Sequence, residues 1–166
     1  MTEREILIER DSLNYSGIFN FQELIDLIKQ NASDRGYFAL VPRHSETISE
    51  KGKYVRYKLI LDKKLSDHVK INMVFEIEIL DMTEKNMEIR NKKKKMQEGK
   101  MEVFYTLLLV SDYEKRFDSK PLIYMLRKLF EKYVYPSTMS QYSDKAKEDT
   151  MWIVNNIKAY LNLATR

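Results

Sequence analysis

The sequence predicts an α+β fold: an antiparallel sheet of five to six strands, covered on one face by helices, in the order β-α-β-β-β-β-β-α-α. Two long alternating runs carry the sheet. His68 to Ile79 places an apolar residue at every second position, and Lys100 to Val110 does the same before ending apolar on both faces. Helical spacing is confined to one segment before these strands and two after them. A parallel sheet needs a crossover between strands, and a single early helix supplies too few, so the strands are expected to meander.

Glu5 to Glu9 reads as a short strand capped by charge, and Asp11 to Gly17 holds turn-tolerant residues. Asn20 stands three residues before Glu23, a variant of the capping box, with Ile18 placed to staple the helix entry. Phe21, Leu24, Ile25 and Ile28 then recur at helical spacing, and Asn31 to Gly36 closes the helix. Tyr37 to Val41 is a short strand ended by Pro42, and Ser45 to Gly52 reads as a loop.

Lys53 to Leu61 alternates, with Val55, Tyr57, Leu59 and Leu61 on one side and Arg56 and Lys58 on the other. Lys63 to Ser66 turns the chain into the long strand. A short strand is expected around Met87 and Ile89, followed by a charged hinge, Asn91 to Lys95, and a turn at Gln97 to Gly99. In the last third, Asp118, Ser119 and Pro121 open a helix carrying Leu122, Met125, Leu126, Leu129, Phe130 and Tyr133. Tyr135 to Ser137 stops it. A final helix is expected over Ser143 to Leu161, with Ala146, Ile153, Ile157 and Leu161 on one side.

A chain of 166 residues with 43% apolar side chains fits a single domain, residues 1–166, with a core of its own. No cysteine is present, which excludes disulfides, thiolate nucleophiles and cysteine-ligated metal. The amino terminus lacks the apolar stretch of about 7–15 residues that a secretory signal needs. No run approaches the roughly 20 apolar residues of a membrane span, so a cytoplasmic protein is expected. The net charge of +4 is well short of a dedicated nucleic-acid binder.

Several fragments occur together: Ser66 to Lys70, Met96 to Glu102, Ser111 to Phe117 with the helix from Pro121, and Ile157 to Leu163. This set resembles a group of small uncharacterised archaeal proteins whose chains end in an "IKAYL"-like helix. The resemblance covers roughly the last hundred residues. It implies an archaeal cytoplasmic protein and brings no activity or catalytic residue with it. The element order is also similar in topology to helix-grip (START-like) ligand-binding proteins, whose curved antiparallel sheet wraps a long C-terminal helix. Two C-terminal helices and the lack of a glycine-rich loop depart from that pattern.

Candidate chemistry is sparse. The two histidines, His44 and His68, lie in a loop and at a strand start, and Asp67 points to the opposite face from His68. No zinc spacing and no phosphate-binding glycine pattern occurs, so no catalytic, metal or cofactor residue is assigned. Glu76 and Glu78 share a strand face about 7 Å apart. They form either a carboxylate pair or the polar face of a half-exposed sheet, answering cations on a neighbouring strand.

The Lys92, Lys93, Lys94 and Lys95 run, with Arg90 and Lys100, can neutralise phosphates by counterion release. It can equally be a solvated tip that prevents edge pairing. Tyr133, Tyr135, Tyr142 and Trp152 surround the last interhelical turn and suit either a partner surface or the edge of a core.

The sequence therefore points first to a non-enzymatic interaction module contacting a protein or a ribonucleoprotein. Its alternative is a helix-grip carrier for an apolar small molecule, with Met73, Phe75, Ile77, Tyr105, Leu107 and Leu109 lining a cavity between sheet and C-terminal helix.

Overall fold

A computed structural model describes residues 3–111 and 135–164. The elements are β1 (Glu3–Phe19), α1 (Phe21–Asp34), β2 (Phe38–Ser49), β3 (Gly52–Lys64), β4 (Val69–Ile89), β5 (Lys92–Ser111) and α2 (Tyr135–Ala164). Among the described residues the fold is α+β, with one five-stranded antiparallel sheet in the order β1-β5-β4-β3-β2. The expected helix at Pro121 and the fragment Asp112 to Phe117 lie outside the described residues.

Alternation in the long strands builds the core. Val69, Ile71, Met73, Phe75, Ile77 and Ile79 are all at most 4% exposed, while the residues between them are half-buried. They share one hydrophobic cluster with Leu24, Ile25 and Ile28 of α1 and with Ala146, Ile153, Ile157 and Leu161 of α2. Because β1 and β2 are the two edges of the sheet, α1 connects one edge to the other.

Local chemistry fixes the ends of α1. Asn20 is extended, its Oδ1 accepts from the Glu23 amide at 3.0 Å, and the Asn20 carbonyl accepts from the Leu24 amide at 3.0 Å. At the far end Gly36 takes φ +79°, and the Tyr37 amide reaches back to the Ala32 carbonyl at 2.8 Å.

Several loop expectations are corrected, and cross-strand pairing is the common reason. Asp11 to Gly17 is strand, because each of these residues pairs with β5 from Tyr105 to Gly99. Ser45 to Ser49 continues β2 rather than forming a loop, and only Glu50 and Lys51 turn, with Ser49 opposite Gly52 of β3. Gln97 and Glu98 pair on both sides and Gly99 pairs with Gly17 of β1, so none of the three makes a turn. Tyr135 to Ser137 are helical, within α2, and the helix expected to end there lies outside the described residues.

The charged hinge is also corrected. The turn is Arg90-Asn91 alone, with φ of 50° and 61°, the two left-handed residues of a type I′ hairpin. Lys92 to Lys95 are strand residues paired with Ile89 to Asn86. The two long runs therefore form one 21-residue strand and one 20-residue strand.

A bulge bends β4 between Leu80 and Thr83, with Asp81 at φ 53°. Glycines flank it on both neighbouring strands. A Cβ on Gly52 would stand 2.8 Å from the Asp81 carbonyl carbon, and one on Gly99 would stand 2.9 Å from the Leu80 oxygen.

Candidate functional site

Register places two charged rows on the sheet face opposite the helices. The first runs Arg43–Lys58–Glu76–Phe104 across β2, β3, β4 and β5, and the second runs Ser45–Arg56–Glu78–Glu102. The Lys58 ammonium lies 3.2 Å from Glu76, and the Arg56 guanidinium lies 3.2 Å from Glu78. Glu76 and Glu78 thus answer cations on the neighbouring strand. That cross-strand pairing accounts for their spacing.

Arg10 completes the arrangement from β1. Register shifts on both sides of Ile8 leave Arg10 at φ 36°, a backbone that disfavours an arginine and that the surrounding pairing has to hold. Its guanidinium sits 4.0 Å over the Phe104 ring and 3.9 Å from Glu76.

Together Arg10, Arg43, Arg56, Lys58, Ile60, Glu76 and Glu78 line a half-open basin of about 520 Å³. That volume falls within the roughly 300–1,000 Å³ of ligand-sized pockets. Four cations surround two carboxylates, and among the described residues no carboxylate pairs with Arg43. The basin carries a positive excess concentrated beside the β2 edge.

The six expected cavity residues lie on the other face. Met73, Phe75, Ile77, Tyr105, Leu107 and Leu109 are 0–4% exposed, inside the cluster shared with the helices, and none lines the basin. Tyr105 also uses its hydroxyl, which donates to Asp11 Oδ2 at 2.6 Å. That bond is the largest influence holding the Asp11 carboxyl below its ordinary range, and burial followed by Asp11 pushes the Tyr105 hydroxyl up to about 12.

The lysine run does not form a single patch. Strand pleating sends Lys92 and Lys94 to one side of the hairpin and Lys93 and Lys95 to the other. Lys94 is ion-paired with Glu23 of α1, and Lys93 stands opposite Glu88. Arg90 lies in the turn, while Lys100 is exposed 8 positions beyond Lys92, between Ser16 and Leu80.

The aromatic set is likewise divided. Tyr133 lies outside the described residues and Tyr135 lies within α2. Tyr142 and Trp152 pack against the core, and the Arg35 guanidinium lies 4.5 Å over the Trp152 ring.

A buried ionic cluster was not anticipated from the sequence. Asp149 is 1% exposed on α2 and accepts from Arg35 Nη1 and the Tyr37 hydroxyl, each at 2.9 Å. Lys63 Nζ lies 3.6 Å from the same carboxylate and donates to the Arg35 carbonyl at 2.6 Å. Burial, then the Asp149 charge, pushes the Tyr37 hydroxyl well above the ordinary tyrosine range. A signal did exist: Asp149 falls four residues before Ile153, on the apolar stripe of the helix, where an acid requires partners. The basin left a weaker trace, since Arg56 and Lys58 face Glu76 and Glu78 only once the β3–β4 register is known.

Among the described residues no helix is long and apolar enough to cross a membrane. No group of three or more His, Cys, Asp or Glu side chains among them can hold a metal ion. No family model, curated protein or solved structure matches the chain.

Proposed function

We propose that the protein is a non-enzymatic interaction module whose contact surface is the basin on the outer face of the sheet, and whose partner is a protein presenting an acidic segment. The observation that carries this reading is the charge balance: four cations to two carboxylates, with no carboxylate among the described residues paired with Arg43. Guanidinium groups match carboxylates in a fork geometry, so a set of three arginines favours planar anions over diffuse negative surfaces. Binding is favoured over catalysis because each carboxylate in the basin is already engaged by a cation.

A ribonucleoprotein partner draws less support. The lysine run is split between two faces of the hairpin, so it offers no continuous track for a phosphate backbone. The carrier alternative needs space among residues that are 0–4% exposed inside the core.

Fluorescence anisotropy with a labelled peptide of ten glutamates, set against a ten-nucleotide uridine RNA, tests the reading. The acidic peptide is expected to bind in low salt, and Arg43→Glu combined with Arg10→Glu is expected to weaken it at least tenfold. RNA binding without peptide binding, or peptide binding indifferent to both substitutions, overturns it.

A further inference from the structure

The basin opens beside β2, which is an edge of the sheet. Edge strands present unpaired amides and carbonyls to any extended chain, and proteins blunt them with charge, proline and bulges. The other edge is heavily blunted: β1 carries Glu5, Glu9, Arg10 and Asp11 together with its two register shifts. β2 is guarded at one point, where Pro42 falls within the register shift between Leu40 and Arg43, and its pairing is regular from Arg43 to Ser49. Phe38 is 81% exposed, Ile48 79% and Leu40 56%, so the strand displays large apolar side chains to solvent. Register puts Leu40 opposite Ile60, the apolar residue of the basin, and Arg43 opposite Lys58, its first charged row.

We propose that β2 accepts an extended segment of the partner protein as a sixth, antiparallel strand, with a carboxylate side chain against Arg43 and an apolar side chain against Leu40. This rests on the reading of the basin as a site for an acidic protein segment and specifies how that segment binds. Main-chain pairing supplies affinity along the edge, and alternate side chains facing the basin supply selectivity. Arg43 and the exposed Leu40 lie on the same sheet face as the basin, so the incoming strand needs an acid and an apolar residue on one side.

A second copy of this chain fits the same edge poorly. In a two-fold antiparallel pair, opposed residues lie on the same face. Within Arg43 to Ser49, which pairs without a bulge, Arg43 can then oppose only Arg43, Ser45, Thr47 or Ser49 of the other copy. None is acidic. Glu46, the acid of that stretch, has the wrong parity.

The test uses the full chain and a blocked heptapeptide with threonine at even positions, glutamate at its first and third positions, and valine at its fifth and last. Two further peptides carry N-methyl groups on one or the other set of alternate amides, so each blocks one hydrogen-bonding edge. Binding is read by anisotropy, and amide exchange by NMR. The expected result is binding of the parent peptide with at least tenfold slower exchange of β2 amides, loss with one methylated peptide, and at least tenfold weakening by Arg43→Glu.

Equal binding of all three peptides, still weakened by Arg43→Glu, overturns strand addition and leaves the acidic-segment reading standing. Failure of the parent peptide while the ten-glutamate peptide binds has the same meaning. Failure of both acidic probes overturns both. A free protein that sediments as a dimer with protected β2 amides assigns the edge to a second copy and also overturns the proposal.

Discussion

Asp149 on α2 and Arg35 at the end of α1 are 114 residues apart in sequence and joined by a 2.9 Å hydrogen bond. Tyr37 and Lys63 meet the same carboxylate, so one buried acid ties the C-terminal helix to the end of α1, the approach to β2 and the end of β3.

Asp149→Asn is therefore expected to destabilise the fold. Removing one partner from a fully buried pair costs about 3–5 kcal/mol. Arg35 is 32% exposed and Lys63 17%, so both can partly rehydrate, and a loss of roughly 2–3 kcal/mol is expected. Tyr37→Phe removes one hydrogen bond and should cost only about 1 kcal/mol. Urea unfolding of the two variants checks the order, and equal losses would contradict it.

The β4 bulge predicts a second series. Gly52→Ala meets the Asp81 backbone and holds φ +139°, while Gly99→Ala meets the Leu80 oxygen. Each should lower stability by about 1–3 kcal/mol. Asp81→Gly relaxes a left-handed residue at φ 53° and should be neutral or stabilising by up to about 1 kcal/mol. Thermal unfolding midpoints report all three.

Asn20 serves two elements at once. Its Oδ1 caps α1, and its Nδ2 donates to the Lys95 carbonyl at 3.2 Å, while Gln97 Oε1 accepts from the Phe21 amide at 2.9 Å. Asn20→Ala should cost about 1–2 kcal/mol. Asn20→Asp keeps the cap and loses only the Lys95 contact, so it should recover most of that loss in the same denaturant titration.

Alkaline stability follows from three tyrosines. Burial is the first cause in each: Tyr105 and Tyr160 are pushed up to about 12 and Tyr37 further. The unfolded groups ionise near about 10. Because the folded values are raised, the folded state holds these protons more tightly. The stabilisation is complete below about pH 10 and lost as pH rises towards 12. Tyrosinate absorbance should show these groups ionising together with unfolding, and titration of all tyrosines near pH 10 in a folded chain would contradict this. At the acid end Asp11 has the opposite sign: its lowered carboxyl adds stability at neutral pH that disappears as pH falls through its folded value.

Much of the architecture was legible in local pattern. The strict alternation of Val69 to Ile79 defines one strand face, and Asn20 with Glu23 marks the start of α1. Boundaries were less legible where polar residues pair in a ladder. Asp11 to Gly17 and Ser45 to Ser49 carry turn-tolerant side chains, yet partners on β5 and β3 satisfy their backbone groups and hold them extended. Lys92 to Lys95 repeats this lesson, since the left-handed pair Arg90-Asn91 makes the turn and leaves the lysines as strand.

By itself the sequence determined the α+β class, the alternating faces of the long strands and the amphipathic helices, because these depend on periodicities of two and 3.6 residues. Only the tertiary structure decided where chemistry could gather. The basin exists because three cross-strand registers bring Arg43, Lys58, Glu76 and Phe104 into one row and a double shift in β1 swings Arg10 onto its end. The buried clasp exists because α2 returns Asp149 to Arg35 and Tyr37. Register and helix docking are sums of many distant contacts, and no local window of residues contains them.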